Sequence, residues 1–368
     1  MSDQSYERLA DALDALPNGF PRMPSGIDIR ILKKSFGDQE ADLAGHMNRS
    51  YETAEQIAKR AGSDAVTARE VLDSLLPTGL VRRRRDDGTV KYRLGPFLVG
   101  WYEAHMSRHP NDTEFGELFE QYVHEGGGER ILSPRPGLLG VVPVKGSVKA
   151  ELLQPHEDID AHFARHERFA VSDCICIMER DLVGGSCDRP VKKCAFVGLP
   201  AETPLSDHVL DREQAKELFD DLEDEGHVHL GFYGFTSTAD SPQFVGCCNC
   251  CGCCCAILRG TNDLGLDEGP QRSNFRAAID LDSCTACGMC SERCQVDAIT
   301  EDEHCMPVLD VSRCIGCGVC VIGCASENIQ MHPVSAEEWF EVPANFEEWE
   351  ERRLQNMAAD IPVKVQMR

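Results

Sequence analysis

No run of this sequence approaches the ~18 consecutive apolar residues that would mark a membrane span. Its opening, MSDQSYERLADALDALPNGF, has neither a basic n-region nor an apolar h-region, so no secretory leader is expected there. Positive charge is scarce too. Lys and Arg number 37 against 62 Asp and Glu, a formal net charge of −25. That balance argues against wholesale affinity for nucleic acid or anionic membranes, whose surfaces need cations to replace counterions. The glycine run Glu125-Gly126-Gly127-Gly128 lacks a following Gly-Lys-Ser/Thr and so is not a phosphate loop. No dinucleotide fingerprint and no catalytic constellation is visible, and no catalytic residue is assigned.

Cysteine, by contrast, is abundant, with 20 in 368 residues. In a short secreted chain this would read as a disulfide scaffold; here reduced thiols, metal binding and a cytoplasmic location are expected. The length allows two or three domains with their own cores, and a hydrophobic content of 42% is that of a globular protein.

Eight of the cysteines form two quartets. Cys284, Cys287, Cys290 and Cys294 are answered thirty positions on by Cys314, Cys317, Cys320 and Cys324, each spaced C-x2-C-x2-C-x3-C. Asp280 and Asp310, and Ile299 and Ile329, repeat at the same offset, which marks an internal duplication. Gly288, Gly316 and Gly318 suit tight loops that turn backbone N–H groups towards sulfur. A disulfide framework or a zinc knuckle is the competing reading. By these residues the segment resembles the bacterial dicluster ferredoxin domain. The resemblance implies two [4Fe–4S] clusters, one on Cys284, Cys287, Cys290 and Cys324, the other on Cys314, Cys317, Cys320 and Cys294, each half completing its neighbour's site. One departure is that Gln295 and Ala325 stand where the family usually has proline.

A second cysteine group lies upstream. Cys174, Cys176, Cys187 and Cys194 are followed by CCNCCGCCC, which places Cys247, Cys248, Cys250, Cys251, Cys253, Cys254 and Cys255 within nine residues. If that run is extended, Cys247, Cys251, Cys253 and Cys255 share one face, and Cys248, Cys250 and Cys254 the other. Eleven thiols suffice for one or two further metal centres. Cys305 is spare and expected to be buried. His156, His162 and His166 are expected at the surface rather than on a metal.

Towards the start of the chain, Ile27 to Met47 reads as two short helices broken at Gly37-Asp38. Two more helices follow, N-capped by Thr53 and Asp64, with Gln56 placed for a capping box. Two strands joined at Asp86-Asp87-Gly88 complete what resembles a winged helix over residues 27–105. Between Tyr51 and Gly95 nine Lys/Arg meet seven Asp/Glu. Arg82 to Arg85 fit a solvated wing or a phosphate contact. The helix that would read DNA offers only Thr67, Arg69 and Ser74, beside Glu70 and Asp73, so protein docking is favoured over DNA.

The chain from LPNGFP through C-I-C, GGSC, KKC, CNCCGCCC and the quartets resembles a family of winged-helix 4Fe–4S dicluster proteins from anaerobic bacteria. Ile177-Met178 depart from it, a basic residue being expected after C-x-C. The expected architecture is α+β: a cap (1–26), the winged helix (27–105), a helical linker with connecting strands (106–170), a cysteine-rich metal-binding region (171–260), a 2[4Fe–4S] ferredoxin-like domain (275–333) and an acidic tail (334–368). In the tail, Trp339, Phe340, Phe346 and Trp349 are spaced to pack back. The resemblance implies single-electron transfer with a partner protein or oxidoreductase complex. A redox-sensing DNA-binding regulator and a subunit of a larger oxidoreductase are the alternatives.

Overall fold

Proline and glycine set the first helix boundaries. Helix α1 (Ser2–Asp14) stops ahead of Pro17, and α2 (Ile27–Ser35) starts after Gly26, whose φ of 73° suits a residue without Cβ. The computed structural model describes residues 2–185, 187–197, 208–232, 246–266 and 269–357. It divides into two units. One comprises Met1–Pro134, Met178–Gly184 and Leu354–Arg368, and the other Arg135–Ile177 and Gly185–Arg353.

In the first unit α3 (Asp38–Ala44) precedes α4 (Ala54–Ala61) and α5 (Ala65–Leu75). Thr53 and Gln56 form the reciprocal capping box, and Asp64 accepts from the N–H groups of Val66 and Thr67. Strands β1 (Val81–Asp86) and β2 (Thr89–Leu94) form a hairpin with Asp86 opposite Thr89. Its two-residue turn, Asp87 and Gly88, has φ of 46° and 80°, the pair of positive values that matches strand twist. Helices α6 (Tyr102–Arg108), α7 (Thr113–Tyr122) and α8 (Gly128–Leu132) follow. Phe20, Phe97, Trp101, Tyr102, Phe115, Phe119 and Tyr122 are all buried and stack or meet edge-on, with Phe97 and Trp101 4.5 Å apart. This aromatic stretch is core.

The glycine run Glu125-Gly126-Gly127-Gly128 is not a joint but part of a continuing helical path. Backbone turns continue from α7 through Gly127 into α8, with a kink at Gly126 (φ 114°). A Cβ on Gly127 would lie 2.6 Å from the Tyr122 ring, so the glycines let the chain pack against that ring.

In the second unit β3 (Leu139–Val142) comes first, and after it the Val144 N–H donates to the carbonyl of Cys317, 2.9 Å away. Then come α9 (Ile159–Arg165), β4 (Phe169–Asp173), α10 (Ile175–Leu182, which from Met178 belongs to the first unit), β5 (Lys192–Val197), β6 (Val209–Leu210), α11 (Arg212–Asp224), β7 (Val228–Phe232) and β8 (Gly246–Cys250). The six strands pair antiparallel in the order β3-β7-β8-β5-β4-β6. Alternation along β8 sends Cys247 and Asn249 to one face, Cys248 and Cys250 to the other. On the Asn249 side, His229 contacts Asn249 Oδ1 and Glu223 Oε1 at 2.5 and 2.9 Å, and Phe219 of α11 lies 5.0 Å from its ring.

His156 and His162 are buried rather than exposed, His162 Nε2 lying 3.3 Å from the carbonyl oxygen of His156. Burial pushes His156 down to about 4, so it stays neutral. The sequence misleads here because histidine ranks between core and surface residues.

After α12 (Ala256–Asn262), β9 (Phe275–Ile279) pairs with the late strand β12 (Ile329–Pro333), Ile279 opposite Ile329. Between them lie α13 (Met289–Arg293), β10 (Ile299–Glu301), β11 (Pro307–Leu309) and α14 (Val319–Ile322). Helix α15 (Phe346–Met357) buries Trp349, which stacks on Phe346 and donates to the Gly137 carbonyl at 3.1 Å; Trp339 is partly exposed. The tail beyond residue 357 lies outside the described residues. Among the described residues no helix is long and apolar enough to cross a membrane.

Candidate metal centres

The thirty-residue repeat is visible in the backbone. Gly288 and Gly318, with φ of 76° and 79°, precede the short helices that carry Cys290 and Cys320. Asp297 and Glu327 share positive φ of 51° and 55°, as do Ala286 (51°) and Gly316 (78°). The second half uses glycine because a Cβ on Gly316 would sit 2.1 Å from Ser273 Oγ and 2.3 Å from the Phe275 carbonyl oxygen.

Cys284, Cys287, Cys290 and Cys324 line one cavity, together with Thr285, Gly288 and Cys305. Three of these thiols come from the first half and one from the second. Cys294 lies near enough to Cys314, Cys317 and Cys320 for their charges to influence one another, and Cys320 also feels Cys290. Burial pushes Cys317 up to about 12 and raises Cys290, Cys294 and Cys320, so without a cation these thiols hold their protons. Soft donors in fours fit an iron–sulfur cluster, whose charge stabilises the thiolate form; Cys314 and Cys320 are buried, Cys287 is exposed and the other five are half-buried. Cys305, expected in the core, is exposed with φ 59° at the cavity's edge.

The CCNCCGCCC run is not extended throughout. Strand β8 ends at Cys250, a turn occupies Gly252 to Cys254, and Cys255 caps α12. Gly252 makes that turn possible where it meets the Gln295 backbone, since a Cβ there would lie 2.2 Å from the Gln295 carbonyl oxygen. The turn regroups the thiols that simple alternation would have separated. Cys251, Cys253 and Cys254 join Cys187, all four sulfurs lying within 4.8 Å of one another.

A second group lies on the other side of the turn. Cys194 faces Cys248 across β5 and β8 and hydrogen-bonds to it. Cys250 bonds to Cys248 and Cys255, and Cys176 to Cys255 and Cys174, so six thiols form one continuous network. Hydrogen bonds from Cys176 and Cys250, with N–H groups at the start of α12, hold Cys255 well below the usual thiol range. Cys248 is drawn down by Cys194 and Cys250. Cys247 points to the opposite face of the sheet, and burial raises it. Ile177 packs with Cys251 and Cys254 in an apolar cluster.

Two residues with no role in the sequence reading join this region. Lys193 is buried with Nζ 3.3 Å from Cys251 Sγ. Burial opposes its charge, yet Cys251, Cys174 and Cys250 outweigh it and hold its pKa above the ordinary value. The KKC string was its only signal. Gln295, the residue in the proline position, accepts from the Gly252 N–H through Oε1 at 2.8 Å, and its carbonyl accepts from Asn262 Nδ2 at 2.9 Å. It thus ties the residue after Cys294 to the turn between Cys251 and Cys253. Gln295→Ala leaves the Gly252 N–H buried and unpaired, and we expect a loss of about 1–3 kcal/mol by denaturant unfolding with metal content unchanged.

A family model for the 4Fe-4S binding domain (Fer4) matches residues 277–300, which contain Cys284, Cys287, Cys290 and Cys294. No curated protein and no solved structure matches the chain. The matched segment and the clustered thiols together support an iron–sulfur protein of mixed helix and sheet.

Proposed function

We propose that the protein carries single electrons to or from a partner oxidoreductase, with two [4Fe–4S] clusters in residues 275–333 and at least one further metal centre among residues 174–255. The observation that carries this reading is the crossed set of thiols, in which Cys324 of the second half lines the cavity of Cys284, Cys287 and Cys290. When bound, such clusters take up and release one electron at a time. The chain's own residues hold and bury them. Cys284, Cys287, Cys290 and Cys324 serve one, and Cys314, Cys317, Cys320 and Cys294 the other. Burial of Cys314 and Cys320 keeps water from the second site. Anaerobic purification of the full chain should give iron and acid-labile sulfide in equal amounts, and a reduced-state EPR spectrum broadened by coupling between neighbouring clusters. Zinc without sulfide would refute the cluster reading.

The N-terminal helices and hairpin are read as a winged helix that docks a protein surface, not DNA. Its cations are engaged internally: Arg69 pairs with Glu55 at 3.2 Å, Arg83 with Asp73 at 3.3 Å and Arg84 with Asp86 at 2.9 Å. A phosphate backbone would have to displace these carboxylates on a chain of net charge −25. Salt-sensitive association with the partner, and a cytoplasmic setting, complete the reading.

A further inference from the structure

Four sulfurs that share one metal ion stand closer together than four sulfurs on the corners of a cluster, because in a cubane each thiolate binds its own iron. A tetrahedral ion with metal–sulfur bonds of about 2.3 Å sets its sulfurs about 3.8 Å apart. At the turn after β8, Cys254 Sγ lies 3.4 Å from Cys187 Sγ and 3.8 Å from Cys253 Sγ, and Cys187 Sγ lies 4.0 Å from Cys251 Sγ. All four sulfurs fall within 4.8 Å of one another. These are the separations of a one-ion site.

Accordingly, we propose that Cys187, Cys251, Cys253 and Cys254 bind a single tetrahedral divalent ion, zinc by preference, and not an iron–sulfur cluster. The proposal deepens, and rests on, the reading of residues 174–255 as metal-binding. A soft S4 donor set selects zinc or a lone iron among the divalent ions. The electrostatics agree. Binding M2+ to four thiolates leaves a charge of −2, and the Lys193 ammonium beside Cys251 offsets part of it as an outer-shell partner. Any thiol still protonated releases its proton as the metal enters, so affinity rises with pH.

Placement argues for a structural ion. Cys251, Cys253 and Cys254 come from one tight turn, while Cys187 comes from the segment between α10 and β5, so one ion pins that segment to the turn. Gln295 holds the same turn from the ferredoxin side. Cys253 is exposed and Cys251 and Cys254 are buried, which gives the ion an entry path.

The test uses the full chain, purified anaerobically, as wild type and as Cys253→Ser and Cys187→Ser. Each variant should lose about one equivalent of zinc, or of iron unaccompanied by sulfide, while the iron–sulfur absorption and EPR signals stay at wild-type intensity. Loss of iron and sulfide together in equal amounts, or no metal loss in either variant, would overturn the proposal. If the variants fail to fold, zinc-edge X-ray absorption of the wild type decides: four sulfur neighbours at about 2.3 Å support the site, and any shell containing nitrogen or oxygen overturns it. A wild type that holds zinc but no sulfide would sink the electron-transfer reading and leave this site standing.

Discussion

Replacing Cys294 and Cys317 together by serine should remove no more iron and sulfide than replacing either alone, whereas Cys294→Ser with Cys290→Ser should remove about twice as much. The expectation rests on which cysteines share a site. Cys294 follows Cys290 by a single helical turn, and the nearest-neighbour reading would put both on one cluster. Cys290 lines the cavity with Cys324, and Cys294 is not among that cavity's lining residues. Once one thiolate of a set is gone the site is already incomplete, so a second loss from the same set adds little. Iron and sulfide analysis of the two double variants and the three single ones reads the partition directly. Additive loss for Cys294 with Cys317 would mean that the two serve different clusters.

Gly316→Ala should destabilise the second unit by about 2–5 kcal/mol, while Gly265→Ala should cost only about 1–2 kcal/mol. Both glycines have positive φ, 78° and 63°, so both substitutions force a side chain into the left-handed region. They differ in space. Nothing lies within 4 Å of a Cβ at Gly265, but at Gly316 it would strike Ser273 Oγ and the Phe275 carbonyl oxygen. Those atoms belong to the segment leading into β9, and Ser273 Oγ itself donates to the Gly316 carbonyl at 2.7 Å. The neighbours cannot yield without breaking that bond. Denaturant midpoints of the metal-loaded proteins compare the two variants, and equal losses would show that φ alone sets the cost. Ala286 shows that the strain is tolerable where space exists: at the equivalent place in the first half it holds φ 51° with a methyl group.

Much of the local structure was legible because it is decided locally. Capping by Thr53, Gln56 and Asp64 needs only residues three apart, and the turn at Asp87-Gly88 follows from the φ that those residues tolerate. The duplicated quartets could be read as a periodicity. Other features depend on partners far away in sequence. The need of Gly127 for the Tyr122 ring shows only in the packed state. The cysteine run was sorted by strand alternation, which assumes a strand that ends at Cys250. The grouping of Cys187 with Cys251, Cys253 and Cys254 then follows from a turn and from residues more than sixty positions upstream. Burial of Lys193 had no sequence signal beyond its neighbouring cysteine, since lysine is rarely buried unless paired.

The cavity that gathers Cys284, Cys287 and Cys290 with Cys324 has a consequence for how the protein is made. During synthesis the first three thiols leave the ribosome well before the fourth, and β12, which pairs with β9, emerges later still. Over that interval the nascent chain displays an incomplete donor set open to oxidation. The clasp of α15, in which Arg353 donates to the Pro136 carbonyl at 2.6 Å, forms only after both. That donor set is therefore complete only once Cys324 has been made, and a chain truncated before it would have no complete site to load in that cavity.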